Sequence, residues 1–520
     1  MRKSENIFQL IQSLSRSEKG YFKKFSSTHI KGEQNNYILL FDAIEKQKIY
    51  DDEALLKQFK EETFAKQLHR VKNYLYNQIL KSLRAYHSQI STDGRLKEML
   101  RNIEILYAKG LYKQCESILE KARQIAYKYE KLVRILELID WERKLIPKEA
   151  DSEKYSRQLM EIFYEREIIL EKQKNLYEYE LYYDRIYSLI KANNRARAEW
   201  EVETFEKILK SDVFKEEKKA LSFNANILYW FCHSAYYFAM GELEKSYELV
   251  KKRRVLIESR PEFIYDSPTQ YINVLSNLLT VQNSLFLRHS NLVSKAGFFA
   301  DLQDLRSISS DSIEINARIF VNSYLHELGY YNNTGNFDAA IKLIPKIEKG
   351  LQTYGEKVNR VNQMVFYYYT SYAYFGGEKY QLALRWLNKL LNDTSVKLRE
   401  DILCFARILN QMIHFELGNI ELLEYATRST YRFLYKKKKL YYHERLIIDF
   451  IRKNDFNALT ESKEQVAAFS NLKEALLSGA EDSIEVNFDE RHHFVHWLEG
   501  KIENPQGLKR IFRKTLKKQE

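Results

Sequence analysis

Three histidines crowd the stretch Asp489 to Glu499, at positions 492, 493 and 496. On a helix His492 and His496 share one face, with Glu499 three residues further on, as two or three zinc ligands would be placed. Phe494, Trp497 and Leu498 interleave with them and equally suit the core side of a capping helix. A further ligand would have to come from elsewhere, and no zinc spacing supports one. Neither a metal nor another cofactor is therefore expected.

Basic residues offer a second chemistry. The run Tyr435, Lys436, Lys437, Lys438, Lys439, Leu440, Tyr441 and Tyr442 mixes cations with rings, a combination that can hold phosphates and stack on bases. It equally suits a solvated turn between helices. Lys251, Lys252, Arg253 and Arg254 form another run, but helical spacing points these four around a helix rather than to one side. Near the N-terminus the outline is that of a helix-turn-helix. A first helix would run Asp52 to Phe59, with a turn at Lys60 to Thr63. A recognition helix would start at Phe64 and turn Lys66, His69, Arg70 and Asn73 to a groove. The second helix is long and its turn has no glycine, so packing on the next helices is the competing account.

The sequence holds no GxGxxG, GxxxxGK[ST], GxSxG or HExxH pattern. No enzymatic activity is expected. The three cysteines, Cys115, Cys232 and Cys404, stand far apart without a CxxC, so neither a disulfide framework nor a zinc module is indicated. A reducing compartment fits. The first residues lack the apolar core of a signal peptide. The most apolar window, Ile227 to Met240, is too short to span a bilayer and contains His233 and Ser234. A cytoplasmic protein without membrane insertion is expected. A formal net charge of +12 suits an acidic partner, and equally a lysine-rich vocabulary spread over solvated faces.

The positioning elements should be helices. The 520 residues include only 5 prolines and 16 glycines, which favours long helices and short turns. Residues 1–92 read as an N-terminal helical module, with helices at Ile7 to Leu14, Ser17 to Phe25, Asn36 to Gln47, Asp52 to Phe59 and Phe64 to Tyr86. Ser17 with Glu18 would start the second, and Asp51 with Asp52 would cap the fourth. Ser91 to Gly94 mark its end.

Residues 95–454 carry a recurring phrase: a small residue at a turn, an apolar residue two on, a small residue five on. It reads Gly110, Tyr112, Cys115; Gly241, Leu243, Ser246; Gly335, Phe337, Ala340; and, more weakly, Glu378, Tyr380, Ala383 (after Gly377) and Gly418, Ile420, Leu423. Asn193, Arg195, Ala198 and Asn291, Val293, Ala296 are degenerate copies, and a further copy has room near Asp151 to Leu159. The turn residue would take positive φ, the apolar residue would plug the gap between paired helices, and the small one would let them approach. The clearest unit is Asp311 to Gly350. Its two helices each carry an apolar stripe that neither can bury alone, so units must stack. Pro345 falls inside the second helix, where it would bend it. Residues 455–520 read as capping helices, Ser462 to Leu477 and Phe488 to Ile502, and a basic tail.

The phrase resembles the tetratricopeptide repeat, whose units carry a glycine, an aromatic two on and an alanine five on. The resemblance spans roughly Arg95 to Asn454. Its copies recur roughly every 40 to 50 residues rather than about 34, and the closing proline is missing. It implies an all-α, right-handed α-solenoid of antiparallel helix pairs with a concave protein-binding face, nearest the helical sensor domains of bacterial regulators. The expected function is a non-enzymatic scaffold holding a peptide or helix of an unknown protein partner. Tyr237, Tyr331, Tyr367 and Tyr374 are candidates to line the groove as rigid aromatic anchors. The alternative is a nucleic-acid-binding regulator that uses Lys66, Arg70, Asn73, Lys436 and Lys437 for contact.

Overall fold

The structure is a computed structural model that describes residues 5–27, 36–88, 91–146, 151–193, 195–196, 198–288, 291–392, 400–436, 442–453, 463–478 and 491–503. Among the described residues the regular structure is helical throughout. The chain divides into two compact units, Met1–Glu171 and Lys172–Glu520.

The first unit contains α1 (Glu5–Ser13), α2 (Arg16–Ser27), α3 (Asn36–Lys46), α4 (Asp52–Gln58), α5 (Leu68–His87), α6 (Thr92–Ala108), α7 (Tyr112–Lys128), α8 (Leu132–Leu145) and the start of α9 (Ser152–Asn193). Helices α1 to α5 fall close to their expected bounds because each carries an apolar stripe. Ile7, Ile11, Phe22, Leu40, Phe41, Ile44, Leu55, Leu75 and Ile79 meet in one core. Two starts differ in detail. Ser15, not Ser17, opens α2: Glu18 N donates to Ser15 Oγ at 3.2 Å and Ser15 N donates to Glu18 Oε2 at 2.7 Å, a reciprocal capping box. Ser91 caps α6 by accepting from Gly94 N at 3.0 Å, so a new helix begins where the break was expected. Asp51 caps α4 as expected, accepting from Ala54 N at 3.0 Å.

Gly20 lies inside α2, and a β-carbon there would meet nothing within 4 Å. Gly20→Ala is expected to stabilise the chain by about 0.5–1 kcal/mol, since it removes only backbone freedom from the unfolded state. Chemical denaturation checks it; a loss of stability would contradict the placement of α2.

The second unit continues with α10 (Glu199–Leu209), α11 (Phe223–Ala239), α12 (Leu243–Glu258), α13 (Pro261–Asp266), α14 (Pro268–Leu287), α15 (Lys295–Ser307), α16 (Ile313–Asn333), α17 (Phe337–Tyr354), α18 (Arg360–Gly376), α19 (Tyr380–Leu391), α20 (Glu400–Glu416), α21 (Ile420–Lys436), α22 (Tyr442–Lys453), α23 (Lys463–Ser478) and α24 (Arg491–Ile502). α17 runs unbroken through Pro345. The last two helices fall close to the expected bounds; the basic tail lies outside the described residues.

The recurring phrase marks one backbone device. Gly110, Gly241, Gly335, Glu378 and Gly418 all have φ between 61° and 80°. In each case the next residue donates its N–H to a carbonyl five back: Leu111 to Leu106, Glu242 to Tyr237, Asn336 to Tyr331, Lys379 to Tyr374 and Asn419 to His414, at 2.8–3.0 Å. The turn residue itself donates three back, as Gly335 does to Asn332 at 3.2 Å. This is the Schellman ending of a helix, and it closes the carbonyls that the helix leaves open. It joins α6 to α7, α11 to α12, α16 to α17, α18 to α19 and α20 to α21. The small residue five on meets the first helix twelve back: Ser246 Oγ donates to Ser234 O and Ser371 Oγ to Ala383 O, each at 2.9 Å.

Several expectations about these turns need correction. The turn at 378 is not among them: the positive φ falls on Glu378, as the phrase places it, and a β-carbon on the preceding Gly377 would press on the end of the Ile341 side chain. Tyr112 does not plug its hairpin but lies exposed. Asn193 ends α9, and among the described residues neither it nor Asn291 takes positive φ. The region of Asp151 to Leu159 is the start of the long α9 rather than a turn. A sixth Schellman turn sits between α7 and α8 at Glu130, φ 45°, with Lys131 N on Ala126 O at 2.8 Å.

The cores of the second unit are shared from hairpin to hairpin. Phe238, Leu243 and Val250 pack with Leu278, Val281 and Leu285 of α14. Phe298 and Leu302 of α15 pack with Ile319 and Tyr330 of α16. Phe320 and Leu328 pack with Ala340, Ile347 and then Phe366 of α18. Phe337 joins a core that continues through α18, α20, α22 and α23 to Trp497 and Leu498. Mutual burial of this kind is what a stacked helical array requires.

Candidate functional site

The helix expected to read a groove, α5, begins after a short 3-10 turn at Ala65–Gln67. Its 20 residues include no aspartate or glutamate. Two of its bases turn to partners: Lys72 is buried against Asp52 at 2.7 Å and the Tyr50 hydroxyl at 3.1 Å, and His87 meets Glu18 at 2.6 Å. Lys66, His69, Arg70, Asn73, Lys81 and Arg84 are exposed. Lys66, Arg70, Lys81 and Arg84 form no ion pair among the described residues. The exposed side of α5 thus carries cations and no acid, interspersed with Asn73, Tyr74, Asn77 and Leu80. Lys436 ends α21, exposed; Lys437 lies outside the described residues, so the structure does not place the two together.

The four tyrosines expected in a groove are each half-buried within their own neighbourhood. Tyr237 carries Lys245 Nζ 5.1 Å from its ring centroid. The Tyr331 hydroxyl donates to Glu327 at 3.2 Å, and its ring packs on Phe299. Tyr367 packs on Trp386 of the next helix, centroids 5.8 Å apart. Tyr374 packs against the core around Phe375 and Leu387. Only Tyr367 and Tyr374 share a helix. The rings act mainly as hairpin packing.

Among the described residues no group of three histidine, cysteine or carboxylate side chains is arranged to hold a metal. His496 is buried beside Phe494 and Trp497, and Glu499 pairs with Lys473 at 2.9 Å. The side chains of His492 and His493 lie outside the described residues.

The structure assembles one site that the motifs did not mark. Within the second unit, α9, α11, α12, α14 and α16 line a partly open cavity of about 490 Å³, a volume typical of small-molecule sites. Its wall is apolar at Ile190, Phe231, Phe238 and Val281, and polar at Ser276, Asn277, Thr280 and Asn322. Arg253 enters from α12 and is 4% exposed. With the Asn277 amide turned so that both its ends are satisfied, its oxygen accepts from Arg253 Nη1 at 3.0 Å and its nitrogen donates to Asn273 O at 3.3 Å. The Phe231 ring lies 5.0 Å from the guanidinium carbon. Arg253 Nε is buried without a hydrogen-bond partner. No carboxylate pairs with the guanidinium among the described residues. Burial pushes its pKa down to about 10, so it stays charged at neutral pH.

The run Lys251 to Arg254 diverges as its spacing implies. Lys251 and Lys252 are exposed, Arg253 faces the cavity, and Arg254 binds Asp301, and Asp304 at 2.6 Å. Arg253 was visible in one respect: Leu243, Ser246, Val250, Arg253 and Ile257 make a single buried register, with a cation in an apolar position.

Behind the wall, Ser276 Oγ donates to Asn322 Oδ1 and lies 2.9 Å from His326 Nε2. Burial pushes the His326 pKa down to about 4. An unfolded histidine titrates near 6.5, so the unfolded chain binds the extra proton between pH 6.5 and 4. Stability therefore falls as pH drops through that window, by up to about 1.4 kcal/mol per unit. Chemical denaturation of His326→Gln at pH 7 and pH 5 is expected to show a shallower loss than the parent; parallel losses would contradict the burial of this ring.

Taken together, fold and site define a helical, repeat-like protein, among the described residues, with a partly open cavity that holds a buried arginine. Comparisons with protein-family models, with the curated proteins and with solved structures find no match.

Proposed function

We propose that the chain is a non-enzymatic, cytoplasmic scaffold of the right-handed tetratricopeptide type, which holds a peptide or helix of another protein. One observation carries this reading. In the first unit, Ile162 and Ile169 of α9 are buried, while Met160, Phe163, Tyr164, Ile168 and Leu170 of the same helix are exposed. A run of large apolar side chains left in water on one helix is the mark of an interaction surface. No described helix is long and apolar enough to cross a membrane. The docking surface is therefore assigned to α9 rather than to Tyr237, Tyr331, Tyr367 and Tyr374. A photo-crosslinking amino acid at Phe163 or Tyr164 in the native cell should give a discrete adduct with one partner, abolished by Leu170→Glu. The absence of any adduct at either position would defeat the reading.

A nucleic-acid role has its own support in the acid-free outer face of α5. Up to four cations there would neutralise phosphates, so affinity for random duplex DNA should fall with salt at a log–log slope of about −3 to −4. Arg70→Glu with Lys81→Glu should abolish binding. No binding at low salt would remove this reading.

A further inference from the structure

The cavity in the second unit contains an unusual imbalance. Arg253 brings a full positive charge into a wall that supplies no matching carboxylate. Asp184, on the same wall, is exposed and forms no ion pair with it. A buried cation without a counter-charge is costly unless something else supplies the charge. The guanidinium also keeps one edge without a hydrogen-bond partner. Asn277 occupies Nη1. Nε is buried and unpartnered, and Nη2, on the same edge as Nε, has no hydrogen-bond partner among the described residues. Two parallel N–H donors on one planar edge match the two oxygens of a carboxylate.

We propose that this cavity is a binding site for a monocarboxylate with an apolar body, whose carboxylate takes the Nε–Nη2 edge of Arg253. The charge count selects the class. Arg318 pairs with Glu314 on its own helix, at 3.4 Å, which leaves Arg253 as the one unpaired cation among the described lining residues. A phosphate dianion would add two negative charges to a wall that already carries the exposed carboxylate of Asp184, whereas a carboxylate brings a single charge to the buried guanidinium. The walls select the body: Phe231, Phe238 and Val281 suit alkyl or aryl groups, and Ser276 and Thr280 offer hydroxyls to a few polar atoms. The ligand is either a free organic acid or the C-terminal carboxylate of an apolar peptide. This proposal does not depend on the interface proposed for the first unit.

Calorimetric titration of the full chain tests this with two pairs of probes: octanoate against octanamide, and N-acetyl-Leu-Leu acid against its amide. Octanoate, the peptide acid or both should bind at least about tenfold more tightly than the matching amide, as expected for a charged hydrogen bond lost. Which acid wins identifies the source. Arg253→Met should weaken the acid roughly 30-fold or more while leaving the unliganded chain as stable as before or more so, because it removes a buried charge. Asn277→Asp guards against misfolding of that variant: it supplies an internal carboxylate beside Arg253 and should preserve the fold while abolishing acid binding. The inference is overturned if neither acid outbinds its amide, or if both variants bind the acid as the parent does.

Discussion

Phe337→Ala is expected to cost the second unit about 3–5 kcal/mol, the range for emptying a well-packed aromatic site. Phe337 begins α17, directly after the turn at Gly335 and Asn336, and is 1% exposed. It does more than close its own hairpin. Its ring fills the space over Gly376, near the end of α18, where a β-carbon would collide with the ring. Gly376→Ala should therefore destabilise as well, by about 1–3 kcal/mol through overpacking. Helix propensity alone predicts the opposite sign, a gain of up to about 1 kcal/mol for alanine over glycine. Denaturant unfolding of the two single variants distinguishes packing from propensity. A stabilised Gly376→Ala would place Phe337 elsewhere.

Gly335→Val should be the next largest loss, roughly 2–3 kcal/mol. At φ 66° a β-branched residue strains against its own backbone. The same turn supports the hydrogen bond from Asn336 N to Tyr331 O at 2.8 Å, which a relaxed backbone would give up. Unchanged thermal unfolding would contradict the Schellman assignment. Gly335→Asn, with the same backbone demand but a residue that tolerates positive φ, should recover most of the loss.

Helix positions were legible because apolar spacing repeats locally, as it does along α5 and α16. Hairpin turns are legible where a glycine supplies positive φ and, at Glu378, where the phrase and the neighbouring Gly377 mark the place. Glu130 adopts the same geometry without a glycine beside it, so composition could not point to it. Arg195 stood where an apolar plug was expected. Its guanidinium instead donates to Phe238 O and, at 3.1 Å, to Ser284 Oγ, a solution that needs partners from two distant helices. The same limit hid the cavity. Its walls come from helices between α9 and α16, and Tyr183 and Asn322 become neighbours only through stacking. Tyr372 is core, whereas Tyr183 and Tyr187 line the cavity.

Stacking of one hairpin on the next is the claim from which the shared cores and the cavity both follow. The double-mutant cycle between Phe337 on α17 and Gly376 on α18 measures it directly. With the ring removed, the added β-carbon has room, so Gly376→Ala should be neutral or stabilising in the Phe337→Ala background, a coupling of about 1–3 kcal/mol. Strictly additive losses would mean that the two hairpins do not touch there, and the stacked architecture would have to be abandoned.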